Sequence, residues 1–365
     1  AYDTNSNRVV IAYGDATNYY GKAVVGTVSG GGVSFGTPVV FNSAMTTSIQ
    51  PNHSIAFDSN SNKVVIVYKD NGNSNQGTAI VGNVDPSNNS ISFGGETVFE
   101  TGHTTHPVVA FDSSNNKVLI SFKDYDDSQR GKAIVGTISG TSISFGSAAQ
   151  FSSSSTSLLS TVFDSSNNKV IIAYRDVTAS NAGKAVVATI SGTSVSFGTA
   201  VQFDANADYI SASFDSDTNK VILSYFLDAD TDSGQAVVGT VSGTAISFGT
   251  PVTFASVPAA RISSAYDTSA KKTVVFYRDG TNSDLGKVVE LETSGTSLTA
   301  SSIQQFSATT TSSTSSVYDP DNLKTVTSYI DEGNSSDLET VLFTGTTITR
   351  AEVASGSNAV IDIGS

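Results

Sequence analysis

Pro107-Val108-Val109-Ala110-Phe111-Asp112, then Ser113-Ser114-Asn115-Asn116, then Lys117-Val118-Leu119-Ile120-Ser121-Phe122, reads as an apolar run, a polar turn and a second apolar run. The first run ends on an aromatic-Asp step. Two β-branched, aromatic-rich runs joined by Ser/Asn turn chemistry predict an antiparallel strand pair. A polar loop, Asp124 to Arg130, leads to Gly131-Lys132-Ala133-Ile134-Val135-Gly136-Thr137-Ile138. The turn Ser139-Gly140-Thr141 and the run Ser142-Ile143-Ser144-Phe145-Gly146 complete the unit. The unit predicts four short strands separated by Gly/Asn/Ser/Asp turns. No stretch of the chain sustains helical periodicity beyond two turns, so the protein is expected to be all β.

The aromatic-Asp step recurs at Tyr2-Asp3, Phe57-Asp58, Phe111-Asp112, Phe163-Asp164, Phe214-Asp215, Tyr266-Asp267 and Tyr318-Asp319. Successive aspartates are 51 to 55 residues apart. A period of that length is one supersecondary unit repeated, which buries its apolar faces only by stacking on its neighbours. The chain, residues 1–365, is therefore expected to be one array of seven repeats anchored at Asp3, Asp58, Asp112, Asp164, Asp215, Asp267 and Asp319. Runs such as Val64-Val65-Ile66-Val67-Tyr68 are continuously apolar, which requires cover on both sheet faces. Radial packing supplies it, so the fold expected is a seven-bladed β-propeller with four-stranded antiparallel blades. A β-solenoid is the alternative, but its coils are usually much shorter. Gly26, Gly82, Gly136 and Gly239 recur inside the third strand, with Ala188 in that place in the fourth repeat. They are read as points where the adjacent sheet approaches closely.

A Ser-Phe-Gly step marks five repeats, at Ser34-Phe35-Gly36, Ser92-Phe93-Gly94, Ser144-Phe145-Gly146, Ser196-Phe197-Gly198 and Ser247-Phe248-Gly249. In repeat length the chain resembles kelch and the wider propeller superfamily. It has no tryptophan, no Trp-Asp blade ending and no Gly-Gly motif at kelch spacing in each repeat. In overall pattern it resembles the near-identical-repeat propellers of phage tail-fibre and bacterial surface proteins. That resemblance covers the whole chain and transfers no functional residue.

Ala359-Val360-Ile361-Asp362 matches both Ser316-Val317-Tyr318-Asp319 and Ala1-Tyr2-Asp3. The first repeat lacks its first strand, and a closing strand near residues 357–363 is expected to complete it. The closure residues are Val360, Ile361 and Asp362 with Ala1, Tyr2 and Asp3. The same strand can instead complete the first blade of another copy. Ala1 begins inside a repeat, which suggests a processed or incompletely represented N-terminus.

Charged residues are only 14% of the chain, with Ser, Thr, Asn and Gly filling the surface, a composition that suits an extracellular protein. The net charge of −14 argues against nucleic acid as a partner. Without cysteine there are neither disulfides nor thiolate metal sites. No apolar run approaches eighteen residues, so no membrane-spanning helix is expected.

Aspartates also open the loops after the second strands: Asp15, Asp70, Asp124, Asp176, Asp228, Asp279 and Asp331. Asp228, Asp230 and Asp232 alternate with small residues and form the candidate calcium site, although the twelfth position of an EF-hand-type loop is Gly239 here. The first-strand aspartates, by contrast, sit in seven equivalent turns and are read as turn formers. His53, His103 and His106 with Glu100 form a weaker metal candidate, set against ordinary polar loop histidines. There is no phosphate-binding glycine loop before a helix, no cysteine nucleophile, and only six arginines, so a non-catalytic chain without a cofactor is expected. Tyr19, Tyr20 and Tyr125 are loop aromatics outside the strand pattern.

Repeats six and seven depart from the consensus: Leu298-Thr299-Ala300 and Ile348-Thr349-Arg350 replace Ser-Phe-Gly, and Glu290, Glu292 and Glu339 enter third-strand segments. Atypical end repeats are read as capping or closure, with a subunit interface as the alternative. Sequons occur at Asn52, Asn88 and Asn334. The function expected is a structural or adhesive extracellular module of a fibre, appendage or phage tail. It would be secreted, on the cell surface or on a virion, and would assemble with copies of itself or a fibre component by terminal strand exchange or face stacking. The alternative is a multivalent, lectin-like propeller that binds surface glycans.

Overall fold

Each aromatic-Asp step closes the innermost strand of a blade. A computed structural model of the chain describes residues 1–15, 17–45, 52–228, 232–333, 337–354 and 359–360, with Ala354, Ala359 and Val360 by backbone alone. It shows an all-β chain of seven antiparallel blades, as expected. In the third blade the end of Thr97–Asp112 pairs with Lys117–Asp124, so that Asp112 lies opposite Lys117. Lys117–Asp124 pairs in turn with Arg130–Ser139. The fourth strand is split. Ser142–Phe145 covers one half of Arg130–Ser139, and the start of Ala149–Asp164 covers the other before crossing into the next blade. One 16-residue strand thus serves two blades, which fastens neighbours together covalently and by hydrogen bonding.

The aspartate of each step makes the turn that follows. Asp112 accepts from the amides of Ser114 (2.9 Å) and Asn115 (3.1 Å), and Asp319 accepts from Asp321 and Asn322 (both 3.0 Å). Asp3, Asp58, Asp164, Asp215 and Asp267 repeat the arrangement. The turn ends in the left-handed region at Asn7, Asn62, Asn116, Asn168 and Asn219, where asparagine is well tolerated. These seven buried carboxylates are turn formers, as their repetition predicts.

Packing between blades explains the two glycine series, and it corrects one expectation. Gly136 lies opposite Phe145 within its own blade, and a Cβ there would meet Val118 at 2.7 Å, Ile143 at 2.9 Å and Phe145 at 3.2 Å. The third-strand glycine makes room for its own sheet's outer strand, not for the adjacent sheet. The neighbour's approach is recorded by the Ser-Phe-Gly glycine instead: a Cβ at Gly146 would lie 1.9 Å from the Thr193 carbonyl oxygen of the next blade. Gly36, Gly94, Gly198 and Gly249 meet the next hairpin turn in the same way. The phenylalanine of the step joins an aromatic triad across the blade interface. Phe99 of one blade meets Phe122 and Phe145 of the next at 5.3 and 6.0 Å, and Phe151, Tyr174 and Phe197 repeat this. Such pairs each add about 0.5–1.5 kcal/mol beyond their burial.

The departures in repeats six and seven are internal packing changes. Leu291 lies opposite Ala300 where blades one, two, three and five set glycine against phenylalanine, which moves the side-chain volume across the strand pair. In the seventh blade Phe343 faces Ile348. Glu290 is buried and paired with Lys272 at 3.0 Å, and Glu339 accepts from the Tyr329 hydroxyl.

Ring closure is visible at the ends. Tyr2 and Asp3 pair with Val9 and Arg8, and Ala359 and Val360 pair with Asp15 and Gly14 of the same chain. The C-terminal strand therefore completes the first blade from within, as expected, but its phase is not the expected one. Ala359 faces Asp15 as Thr104 faces Asp124, whereas Asp3 faces Arg8 as Asp112 faces Lys117. Asp3 itself fills the place proposed for Asp362. The two termini are successive pieces of one inner strand. Ile361 and Asp362 lie outside the described residues.

Candidate functional site

The innermost strands of neighbouring blades contact one another around the axis. At the end carrying the aromatic-Asp steps they surround a cavity of about 620 Å³. Val109, Val162, Val317, Phe57, Phe111 and Phe163 are among the residues lining it. That wall is mostly apolar and offers few convergent polar groups, which a specific small-molecule site needs.

The opposite mouth is different, and its geometry starts from the backbone. Five inner strands bulge there, between Thr105 and Val108, Ser157 and Ser160, Asp208 and Ser211, Ala260 and Ser263, and Ser312 and Thr314. Each bulge holds one residue at positive φ: His106 (53°), Leu158 (50°), Tyr209 (45°), Arg261 (55°) and Ser313 (56°). Bulges re-aim side chains, and left-handed backbone at bulky residues stores strain that persists where the surroundings enforce it. The conformation repeats in these five blades while the side chain changes in each.

A second varied position lies just before the loop-opening aspartate in six blades, at Gly14, Lys69, Lys123, Arg175, Arg278 and Ile330, and its register equivalent in the fifth is Phe226, where Leu227 takes the aspartate's place. The loop aspartates themselves are structural. Asp15, Asp124 and Asp176 pair with Lys22, Lys132 and Lys184 at 2.6 to 2.7 Å, and each also accepts from loop amides. The basic residues before them lie along the mouth. Lys69, Lys123 and Arg175 all act on His106 through space, and burial together with their charge holds its pKa down to about 3. The His106 Nδ1 is buried without a hydrogen-bond partner. Burial lowers the pKa of Lys69, and burial with the nearby Arg175 lowers that of Lys123.

Arg175 donates from Nε to Ser157 (2.9 Å) and from Nη1 to Asp208 (3.0 Å). Burial raises the Asp208 carboxyl above its ordinary range in spite of Arg175, and it also feels Arg261 and Asp228. Arg261 sits 5.3 Å over the Tyr209 ring, with its Nε buried and unpartnered. Arg278 pairs with Asp284 of its own loop at 3.3 Å. On the rim, Tyr125 stacks on His103 with ring centroids 4.5 Å apart, lies 5.9 Å from the Lys123 Nζ, and remains 46% exposed. Burial and Lys69 lower the His103 pKa, opposed by Asp126, whose carboxylate accepts from the His103 amide at 2.8 Å.

The histidines are therefore not ordinary loop residues. His53 is 5% exposed, with Nε2 3.1 Å from the Ala12 carbonyl oxygen of the preceding blade. Glu100 accepts from the Gly102 amide at 3.0 Å. No group of three metal-ligating side chains forms among the described residues, and Glu100 with the three histidines does not converge. Asp228 is exposed, Asp232 has φ 28°, and Asp230 lies outside the described residues. Tyr19 is exposed beside the first loop, far in sequence from the basic mouth. Asn52 is buried, so its sequon is not a surface feature. Sequence reading overlooked Lys69, Lys123, Arg175, Tyr209 and Arg261. Comparing equivalent positions across the repeats would have found the first three: the position before the loop aspartate is basic in four repeats of an acidic chain.

No protein-family model and no curated protein matches the sequence. Solved structures do match its fold. A lectin, BP39L, from Burkholderia pseudomallei superposes with a TM-score of 0.65 at 10% identity, over 94% of this chain and 98% of that one. The periplasmic gluconolactonase PpgL of Pseudomonas aeruginosa gives 0.66 at 14% identity, over 96% and 98%. A putative 6-phosphogluconolactonase from Bacteroides uniformis gives 0.63 at 11% identity, over 97% of each chain. Likeness at this identity establishes the β-propeller fold; a bond to tail-fibre proteins does not follow from it. The expectation of a non-catalytic chain is corrected: the fold is shared with gluconolactonases, so missing sequence motifs do not exclude catalysis.

Proposed function

We propose that this chain is an extracellular carbohydrate-binding propeller whose site is the axial mouth formed by His106, Lys123, Arg175, Tyr209 and Arg261, with Tyr125 on its rim. One observation carries the reading: around that mouth, side chains diverge on a backbone that otherwise repeats, as a single ligand site on a repeated scaffold requires. Exposed tyrosine beside fixed cations and hydrogen-bonding groups suits a polyhydroxylated ring. The fold neighbours, a lectin and two gluconolactonase-type proteins, bear names that concern saccharides and sugar lactones, which supports the same ligand class. A glycan array tests it. Binding that weakens at least tenfold in Tyr125→Ala and Arg261→Ala is expected, and an array without binding overturns it.

The adhesive or fibre reading is the second proposal. It is favoured by the two-piece inner strand of the first blade, to which the described C-terminal segment contributes only Ala359 and Val360. Such a strand can be completed by another copy or by a fibre component. Electron microscopy of native material is expected to show end-to-end or stacked particles; dispersed single rings at high concentration overturn it. Calcium at Asp228, Asp230 and Asp232 is likewise a proposal, and a calorimetric titration showing no calcium heat overturns it.

A further inference from the structure

The chain carries 33 acidic and 19 basic residues, yet four basic side chains gather at one end of its axis. Lys69, Lys123 and Arg175 come from the second strands of three consecutive blades, and Arg261 from the bulge of another. Cations brought together in a partly buried mouth repel one another and lose hydration, so the arrangement is unfavourable until an anion joins it.

No carboxylate near the mouth is paired with Lys69 or Lys123, although Asp208, with Asp228 beside it, offsets part of the charge of Arg175 and Arg261. Asp208 is engaged by Arg175 and borders Arg261. Asp126 is held on the His103 amide at the rim. Asp124 is turned to Lys132 and its own loop amides, and Asp70 to the Gly72 amide. Among the described residues, Lys69 and Lys123 form no ion pair. Both act through space on His106, whose buried Nδ1 has no partner.

We infer that the axial mouth holds an anionic oxygen group of its saccharide, a carboxylate, sulfate or phosphate ester, between Lys69 and Lys123, with Arg175 behind them and His106 as a neutral hydrogen-bonding partner. The inference rests on the carbohydrate reading and adds the ligand's charge. Two lysines act on such a group as point charges, while the Arg175 fork is already occupied by Ser157 and Asp208. Tyr125 then lies where the sugar ring attached to that group would pass.

The test uses the full chain on matched saccharide pairs, each acidic member (uronate, sulfated or phosphorylated) beside its neutral counterpart. Acidic members are expected to bind at least tenfold more tightly. That preference should shrink as sodium chloride rises from about 20 to 300 mM, because exposed charge interactions are screened. The Lys69→Gln/Lys123→Gln double variant is expected to lose the preference while keeping its circular dichroism spectrum and a melting temperature no lower than the parent's. Comparing the uronate, sulfate and phosphate pairs separates the three anion sources. Neutral members bound as tightly as acidic ones overturn the anion subsite and leave the carbohydrate reading standing. Acidic preference that survives the double variant overturns this location. If no member of any pair binds, both readings fall.

Discussion

At the scale of the single residue, Gly146 shows how closely the blades meet. A Cβ there would fall 1.9 Å from a backbone oxygen, which cannot yield as a flexible side chain does. Gly146→Ala is therefore expected to cost about 1–3 kcal/mol, the usual range for overpacking. Gly95→Ala, where nothing lies within 4 Å of the new methyl group, serves as the control and is expected to be close to neutral. Urea denaturation of the two variants checks the difference. His53 offers a second residue-level prediction. Burial holds its pKa down to about 4 in the fold, against 6.5 for a free imidazole. Between those values the unfolded chain binds the extra proton, so stability falls as pH falls from 6.5 to about 4. The loss for this one group is on the order of 3 kcal/mol. His53→Gln keeps a donor for the Ala12 carbonyl and removes the titration. Its melting temperature is expected to fall less steeply through that window, and parallel slopes would count against the assignment.

At the scale of the strand pair, the sequence varies by exchange. Gly136 faces Phe145 in the third blade, and Leu291 faces Ala300 in the sixth. Phe145→Ala alone empties part of an aromatic triad and, because Phe145 is only partly buried, is expected to cost less than the ~3–5 kcal/mol of a core phenylalanine. Gly136→Leu alone overpacks the same space. The double variant reproduces the sixth blade's pairing, so a double-mutant cycle is expected to give a favourable coupling above about 1 kcal/mol. Additive losses would show that blade six depends on other contacts. The Ser-Phe-Gly step was legible as a repeat, and its loss in repeats six and seven was legible as a departure. That the departure conserves volume was not, because the register pairing residues 291 and 300 is set by the hairpin.

At the scale of the whole molecule, the ring is held by the meeting of its ends. Ala359 and Val360 hydrogen-bond within the same chain, so removing residues 359–365 is expected to lower the melting temperature of a monomer. Light scattering with thermal denaturation checks this. An unchanged melting point with loss of a larger species would instead assign the strand to another copy. The charged mouth is also a property of the whole ring. Lys69, Lys123, Arg175 and Arg261 are spread over nearly 200 residues of sequence, and closure of the blades alone makes them neighbours.

By itself the sequence determined the repeat, the all-β blades, the seven turn aspartates and the presence of a spare strand at the C-terminal end. All of these follow from local patterns: strand periodicity, turn chemistry and a period near fifty residues. Tertiary structure alone decided the phase of the terminal strand, which neighbour each glycine accommodates, and where the basic side chains converge. Those outcomes depend on bulges that re-aim inner-strand residues and on contacts between blades about fifty residues apart. Pattern along a chain records which face of a strand is buried; it does not record which distant strand lies against it.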